Sequence, residues 1–167
     1  MSTRDLESGR RLPDAMMIFR LSQCLGTDAN IIIVDDKKIF LSAAIPVSEE
    51  VMPNAIITGF TKPSESIKFA SGNRIALAFL DIELGKTNGF ELCRTLLEIN
   101  PRTNIVFLTA YVEYALDAWS TGASSFTLKP LTAEGVREQL DKLRYFQYFC
   151  YVWLPFLQIL CHWKIQI

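Results

Sequence analysis

Five short apolar segments recur between residues 30 and 145, each bounded by polar residues or by glycine and proline. Within a segment the apolar residues stand at consecutive positions, whereas a strand with one face in water would alternate between apolar and polar residues. Consecutive apolar positions are typical of strands that are covered on both faces, as in a parallel sheet. The predicted strands are Ile31–Val34, Ala55–Thr58, Ala76–Leu80, Ile105–Leu108 and Phe126–Leu128.

Stretches with helical spacing lie between these segments. Leu92, Leu96 and Ile99 recur at intervals of four and three residues, which places them on one face of a helix. Asn88 is the expected N-cap of this helix. The first helix is predicted over residues 37–51, with a kink or a break at Pro46. Five strands that alternate with five helical stretches predict an α/β sandwich over residues 30–145.

Residue composition excludes several classes of protein. Lys and Arg number 17 against 18 Asp and Glu, which argues against a globally basic nucleic-acid-binding protein and against an acidic disordered chain. The four cysteines form no Cys-x-x-Cys pair, so we interpret them as reduced thiols of a cytoplasmic protein rather than as disulfides or zinc ligands. Neither a GxGxxG dinucleotide motif nor a P-loop motif occurs in the sequence.

The α/β domain is flanked by two segments of different character. Residues 1–29 mix acidic and basic groups with little periodicity and are interpreted as an N-terminal extension. Residues 146–167 form a hydrophobic tail, and the last 23 residues hold eight of the 19 aromatic side chains. Three interpretations of the tail remain open: a membrane-spanning helix interrupted by Pro155, a segment that packs on the domain or on a partner, and the product of a truncated or shifted reading frame.

Polar residues follow the predicted strands at their carboxyl ends. Asp35 and Asp36 follow the first strand, and Asp81 follows the third. Thr109 follows the fourth strand, and Lys129 follows the fifth. The carboxyl ends of parallel strands lie at one edge of a sheet, where such proteins bind their ligands. We therefore expect three carboxylates, a hydroxyl and an ammonium group to converge at this edge.

This group of side chains indicates a metal ion and phosphoryl chemistry. Two carboxylates about 4 Å apart repel each other by roughly 4 kcal/mol at an effective dielectric constant of 20, so three of them require a cation. Oxygen ligands suit Mg²⁺, which keeps several waters and commonly binds a phosphate as well. A carboxylate beside Mg²⁺ can act as a nucleophile toward a phosphoryl group, while a lysine and a hydroxyl bind the oxygens of that group.

The segments at the strand ends occur in an order that a known family shares. They are IIIVDD, FLDIEL, NGFEL, FLTAY and FTLKP. Together they closely resemble the receiver domain of bacterial two-component response regulators, over residues 30–145. The resemblance implies a doubly wound, five-stranded parallel sheet of the flavodoxin- or CheY-like type, with strand order 2-1-3-4-5 and helices on both faces.

The resemblance also implies a role for each residue of the site. Asp81 matches the phosphoacceptor. Asp35 and Asp36 match the acidic pair that binds Mg²⁺ together with Asp81, and the backbone carbonyl of Glu83 is a further expected ligand. Thr109 matches the switch hydroxyl.

The remaining matches lie at the fifth strand. Lys129 matches the lysine that pairs with the phosphoryl group, and the Lys129–Pro130 peptide bond is expected to be cis. Phe126 matches the switch aromatic residue, which rotates inward when the switch hydroxyl moves.

The resemblance implies a signalling protein whose only catalysis is its own phosphorylation and slow dephosphorylation. A sensor histidine kinase would donate the phosphoryl group, and phosphorylation would switch a face built from helix 4, strand 5 and helix 5, through which a homodimer would form. The stretches Ile57–Pro63 and Tyr114–Ala118 are similar to regulators with transcriptional output. Nothing after Tyr145 has the signature of a folded domain, so no DNA-binding domain is predicted in this chain.

An alternative function belongs to a different class. In this alternative the domain is a pseudo-receiver, an interaction module that acts without phosphorylation. Pro46 in the first helix and the unusual tail favour the pseudo-receiver, whereas the complete set of strand-end residues favours the phosphoacceptor.

Overall fold

The computed structural model describes residues 30–53, 55–85, 87–110 and 121–143, which alternate between strands and helices. In chain order the elements are β1 (Asn30–Val34), α1 (Lys38–Val51), β2 (Ile56–Phe60), α2 (Pro63–Gly72), β3 (Ile75–Asp81), β4 (Glu83–Leu84), β5 (Thr87–Asn88), α3 (Gly89–Ile99), β6 (Asn104–Thr109), β7 (Ser125–Leu128) and α4 (Ala133–Lys142). The predicted N-terminal extension, most of the predicted helical stretch before β7, and the predicted tail lie outside the described residues. None of the helices in the described ranges is long and apolar enough to cross a bilayer.

Five of the strands form one parallel sheet with the order β2-β1-β3-β6-β7. The two-residue strands β4 and β5 form a separate antiparallel hairpin. Because β6 and β7 are the fourth and fifth strands of the sheet, the predicted order 2-1-3-4-5 is confirmed. Val34 pairs with Leu80, and Asp81 pairs with Leu108. The carboxyl ends of β1, β3 and β6 therefore lie side by side.

The side chains of the central strands alternate between two apolar cores. On one face of the sheet they pack with α1 and α4, and on the other face with α2 and α3. The strand residues of the first core are Ile31, Ile33, Leu77, Phe79, Val106 and Leu108, and those of the second are Ile32, Val34, Ile75, Ala78, Leu80, Ile105 and Phe107. Burial on both faces explains why the sequence is apolar at consecutive positions.

Helix α1 runs without interruption from Lys38 to Val51, although Pro46 lies inside it. Proline lacks the N–H that would bond to the carbonyl of Ser42. Both Pro46 and Ser42 are exposed, so water can reach the carbonyl that has lost its donor. Of the two outcomes predicted at Pro46, a kink or a break, the break is therefore wrong, and the kink stays a prediction.

Buried polar side chains form hydrogen bonds between the strands at the edge of the sheet opposite the carboxyl ends. The hydroxyl of Thr103 donates to the carbonyl of Ile75, and the amide of Asn104 donates to the carbonyl of Ala76. The hydroxyl of Ser124 donates in turn to the side-chain oxygen of Asn104. These bonds satisfy buried polar groups and fix the entry of β3, β6 and β7 into the sheet.

The start of α3 lies directly against the end of β3. Asn88 caps the helix, as predicted, by accepting a hydrogen bond from the N–H of Phe90. The N–H of Gly89 donates to the carbonyl of Ile82. A Cβ atom on Gly89 would lie only 2.1 Å from the carbonyl oxygen of Asp81 and 2.8 Å from Cα of Ile82. Both are backbone atoms that cannot rotate away, so only glycine fits at this contact.

The variant Gly89→Ala is expected to lower the free energy of unfolding by about 1–3 kcal/mol, because the added methyl group forces backbone atoms apart. Urea denaturation of the variant and the unmodified protein measures this loss. Gly72→Ala is the matched control, since a Cβ at Gly72 would meet nothing within 4 Å. The control should leave stability unchanged or raise it by up to about 1 kcal/mol. Equal effects of the two substitutions would contradict the steric interpretation.

Candidate functional site

Three carboxylates from two neighbouring strands meet at the carboxyl edge of the sheet. Asp35 and Asp36 follow β1, Asp81 ends β3, and one oxygen of each lies within 4.8 Å of the others. Asp35 is completely buried and Asp81 is 3% exposed, whereas Asp36 is exposed. The structure thus brings together the three acidic residues that the sequence assigns to one site.

Lys129 connects the two buried carboxylates. It follows β7, and its ammonium group donates a hydrogen bond to Oδ2 of Asp35. The same Nζ lies 2.7 Å from Oδ2 of Asp81 and forms an ion pair with it. The lysine side chain is only 16% exposed, so water screens these contacts weakly. The Lys129–Pro130 bond is cis, as predicted.

Asp35 is held from three directions. Its Oδ1 accepts a hydrogen bond of 2.8 Å from the backbone N–H of Lys37, and its Oδ2 accepts the bond from Lys129. Its own backbone N–H donates to the carbonyl of Phe60 in the neighbouring strand β2. The carboxylate therefore has a fixed orientation, which also fixes the ammonium group that it binds.

The site raises the pKa of both Asp81 and Lys129, which disfavours the charged form of the acid and favours the charged form of the lysine. Burial raises the pKa of the Asp81 carboxyl above its usual range, and repulsion from Asp35 adds to this, while Lys129 and the backbone N–H of Glu83 lower it in part. For Lys129, burial lowers the pKa, but the hydrogen bonds and charges of Asp35 and Asp81 outweigh it, so the net pKa is raised. Lys129 is consequently charged at neutral pH, and Asp81 ionises at a cost to folding.

Thr109 lies at the end of β6, between the strands that carry Asp81 and Lys129. Its side chain is buried, and its carbonyl accepts the backbone N–H of Lys129 at 2.8 Å. Phe126 lies one strand further along, in register with Phe107, and is half-buried against the core beneath α2 and α3. The structure therefore places both expected switch residues on adjacent strands.

Glu83 lies at the start of the β4–β5 hairpin, two residues beyond Asp81. Its side chain is exposed, and its backbone N–H bonds to the Asp81 carboxylate. The backbone N–H of Glu83 thus contacts the site, while the predicted metal-binding role of its carbonyl stays a prediction.

The donor atoms of the site fit Mg²⁺. Carboxylate oxygens are the ligands that this ion prefers, and three of them converge here. Exposure of Asp36 leaves one side of the cluster accessible to the waters that Mg²⁺ usually keeps. Besides burial, repulsion from Asp35 raises the pKa of Asp81, and a cation would relieve that repulsion.

Sequence reasoning missed one side chain of this site. The ring of Phe40, in the first turn of α1, has its centroid 4.5 Å from Nζ of Lys129. An apolar residue in an amphipathic helix is expected to face the core, so no pattern in the sequence related Phe40 to a lysine on the last strand.

Comparison with known proteins identifies relatives of this chain. The family model of the response regulator receiver domain matches residues 31–141. The chain is 30% identical over 114 residues to the sensory transduction protein LytT of Bacillus anthracis, which covers 68% of this chain and 46% of that protein. It is 28% identical over 113 residues to the transcriptional regulatory protein YpdB of Escherichia coli, with coverage of 68% and 46%. The chain therefore spans about half the length of the curated relatives it matches.

Solved structures share the fold. A response regulator protein from Burkholderia pseudomallei, solved with a phosphorylated aspartic acid, calcium ion and citrate, has 24% identity and a TM-score of 0.61 over 68% of this chain and 66% of that chain. A CheY-like receiver domain protein from Methanospirillum hungatei has 23% identity and a TM-score of 0.60, over 70% and 96% of the two chains. These likenesses confirm the predicted CheY-like architecture.

Asp81→Asn is expected to raise the free energy of unfolding at pH 7 without divalent cations. The pKa of Asp81 is higher in the folded protein than its ordinary value of 3.8, so its ionisation opposes folding. The cost is absent below the unfolded pKa, where the carboxyl is protonated in both states, and grows as pH rises through the folded pKa.

Urea denaturation at neutral and acid pH measures this dependence. Asp141→Asn, which changes an exposed acid in α4, is the control and should alter stability by less than about 0.5 kcal/mol. A stabilisation by Asp81→Asn that is greater at acid pH than at pH 7 would show that the sign is wrong.

Proposed function

Because the chain belongs to the response regulator receiver domain family, we propose that it accepts a phosphoryl group on Asp81 and passes the signal on through a change of its surface. One observation carries this proposal: the buried carboxylate of Asp81 lies 2.7 Å from the ammonium group of Lys129 and within 4.8 Å of carboxylate oxygens of Asp35 and Asp36. The pseudo-receiver alternative does not account for this arrangement, because an interaction module has no need of buried, mutually repelling carboxylates.

The chemical step is a displacement at phosphorus. An oxygen of Asp81 attacks the phosphorus atom of the donor, an O–P bond forms, and the bond between phosphorus and the leaving group breaks, with its electron pair departing on that group. Lys129 neutralises one oxygen of the transferring group, and the hydroxyl of Thr109 binds another. Both are close to Asp81, since β6 and β7 follow β3 in the sheet.

Asp35, Asp36, Asp81 and the carbonyl of Glu83 are the groups that we propose hold Mg²⁺. The bound ion would neutralise charge on the oxygens of the phosphoryl group. Asp35 has the further task of orienting Lys129, while the exposed Asp36 is free to adjust to a ligand. The same residues would promote slow hydrolysis of the phosphoaspartate, so the protein acts on itself and turns over no external substrate.

The proposed partners follow from this chemistry. A sensor histidine kinase would supply the phosphoryl group. Movement of Thr109 and Phe126 would then alter the face formed by the helical stretch before β7, by β7 itself and by α4, and this face would bind a partner or a second copy of the chain. The first of these three elements lies largely outside the described residues.

We also propose transcription regulation as the output and the cytoplasm as the location. The name of the Escherichia coli relative, a transcriptional regulatory protein, supports the output. The buried free thiol of Cys93 suits a reducing compartment. In this proposal residues 30–145 are the receiver, and residues 1–29 and 146–167 flank it.

Incubation with acetyl phosphate and Mg²⁺ is expected to produce an acid-stable, base-labile adduct of one phosphoryl group per chain. Mass spectrometry of the intact protein detects it. Asp81→Asn should abolish the adduct, because an amide oxygen is a far weaker nucleophile than a carboxylate. Asp141→Asn, on the exposed face of α4, should form it at the unmodified rate. No adduct, or one that persists in Asp81→Asn, would refute the proposal.

Mg²⁺ is expected to stabilise the folded protein, by about 1.4 kcal/mol at a concentration ten times its Kd. Thermal denaturation with MgCl₂, against KCl of equal ionic strength, measures this effect. Asp36→Asn should remove most of the stabilisation, because it takes away the exposed ligand, whereas Glu138→Gln on the exposed face of α4 should retain it. An Asp36→Asn protein that responds like the unmodified one would place the ion elsewhere.

A further inference from the structure

The ammonium group of Lys129 has a third neighbour besides its two carboxylates. The ring of Phe40 lies beneath it, with 4.5 Å between Nζ and the ring centroid. This distance is well inside the range in which the negative face of an aromatic ring attracts a cation. The lysine is mostly buried and Phe40 is half-buried against the core, so the contact is partly shielded from water.

Phe40 owes its position to the same carboxylate that binds the lysine. Oδ1 of Asp35 accepts the N–H of Lys37, and the carbonyl of Lys37 accepts the N–H of Phe40 at 3.0 Å. Oδ2 of Asp35 accepts the ammonium group of Lys129. Asp35 therefore positions both partners of the contact. Its Oδ2 binds the lysine, and its Oδ1 binds the first turn of α1, which carries the ring of Phe40.

We infer that Phe40 is a positioning residue for Lys129, an inference that rests on the proposed phosphoryl transfer to Asp81. When an oxygen of Asp81 forms a bond to phosphorus, its negative charge is lost and the Asp81–Lys129 ion pair weakens. Asp35 and the ring of Phe40 do not take part in that bond. Asp35 and Phe40 therefore keep the ammonium group of Lys129 beside the phosphoryl oxygens while Asp81 loses its negative charge.

Phe40→Leu is expected to slow phosphorylation by acetyl phosphate about three- to tenfold, the range that a partly shielded cation–π contact can contribute. Leucine keeps an apolar side chain against the core but offers no ring face. Phe40→Tyr, which keeps the ring, should restore the rate to within about twofold of the unmodified protein. The small donor is chosen because it needs no docking surface for a kinase. Circular dichroism of each variant verifies that it is folded.

Phe69→Leu is the matched control. Phe69 is also a half-buried helical phenylalanine, but it lies in α2 on the other face of the sheet and packs on Phe60. Its substitution should leave the phosphorylation rate unchanged. If Phe69→Leu slows the reaction as much as Phe40→Leu does, the effect is one of general packing and the inference is wrong.

A second measurement separates positioning of Lys129 from a structural role. In the Lys129→Met background, Phe40→Leu should slow the reaction no further, because the ring then has no cation to hold. NMR should show the ε-methylene protons of Lys129 shifted upfield by the ring in the unmodified protein and in Phe40→Tyr, but not in Phe40→Leu. Additive rate effects, or an unshifted lysine in the unmodified protein, would overturn the inference.

The failure of the inference can be distinguished from failure of the proposed function. If the unmodified protein forms no adduct, both the proposed function and the inference on Phe40 are refuted. If it forms the adduct and Phe40→Leu does so at the same rate, phosphoryl transfer stands and the role of Phe40 is refuted.

Discussion

A single ammonium group shared by two buried carboxylates is the interaction on which the rest of the site depends. Removing two like charges from water costs several kcal/mol each, and Lys129 offsets this cost only if both carboxylates reach it. The strands that carry Asp81 and Lys129 are not neighbours, since β6 lies between them. A long side chain is therefore required at the end of β7, and the sheet must bring all of these strand ends to one edge.

The polar groups at the two edges of the sheet affect stability in opposite directions. At the opposite edge, the side chains of Thr103 and Asn104 donate hydrogen bonds to carbonyls of β3, and Ser124 donates one to Asn104. These hydrogen bonds favour the fold. At the carboxyl edge, burial and repulsion raise the pKa of Asp81, so the charged site opposes folding. Stability is supplied mainly by the two apolar cores and the opposite edge, which leaves the carboxyl edge available for chemistry.

Much of this could be predicted because it depends on patterns along the chain. Consecutive apolar residues predict strands buried on both faces, and the rule for parallel strands places the acidic residues, Thr109 and Lys129 at one edge.

Other features of the fold and the site could not be predicted from these patterns. The strand order was predicted from the family resemblance. The edge strand was predicted as Ala55–Thr58 but is Ile56–Phe60, because pairing with β1 continues through Gly59, which the apolar pattern does not reveal. A contact between residues far apart in the sequence, such as that of Phe40 with Lys129, leaves no repeating pattern along the chain from which it could be predicted.

The bond from the N–H of Gly89 to the carbonyl of Ile82 closes a loop that begins at the end of β3 and returns to the same place. A loop with both ends clamped can change its length or sequence without moving the elements on either side. Between Leu84 and Thr87, away from the Glu83 backbone that contacts Asp81 and from the Asn88 cap, insertions would be tolerated by β3 and α3 alike. The rim of the site can therefore vary in length and sequence at this point while Asp81, at the end of β3, keeps its position.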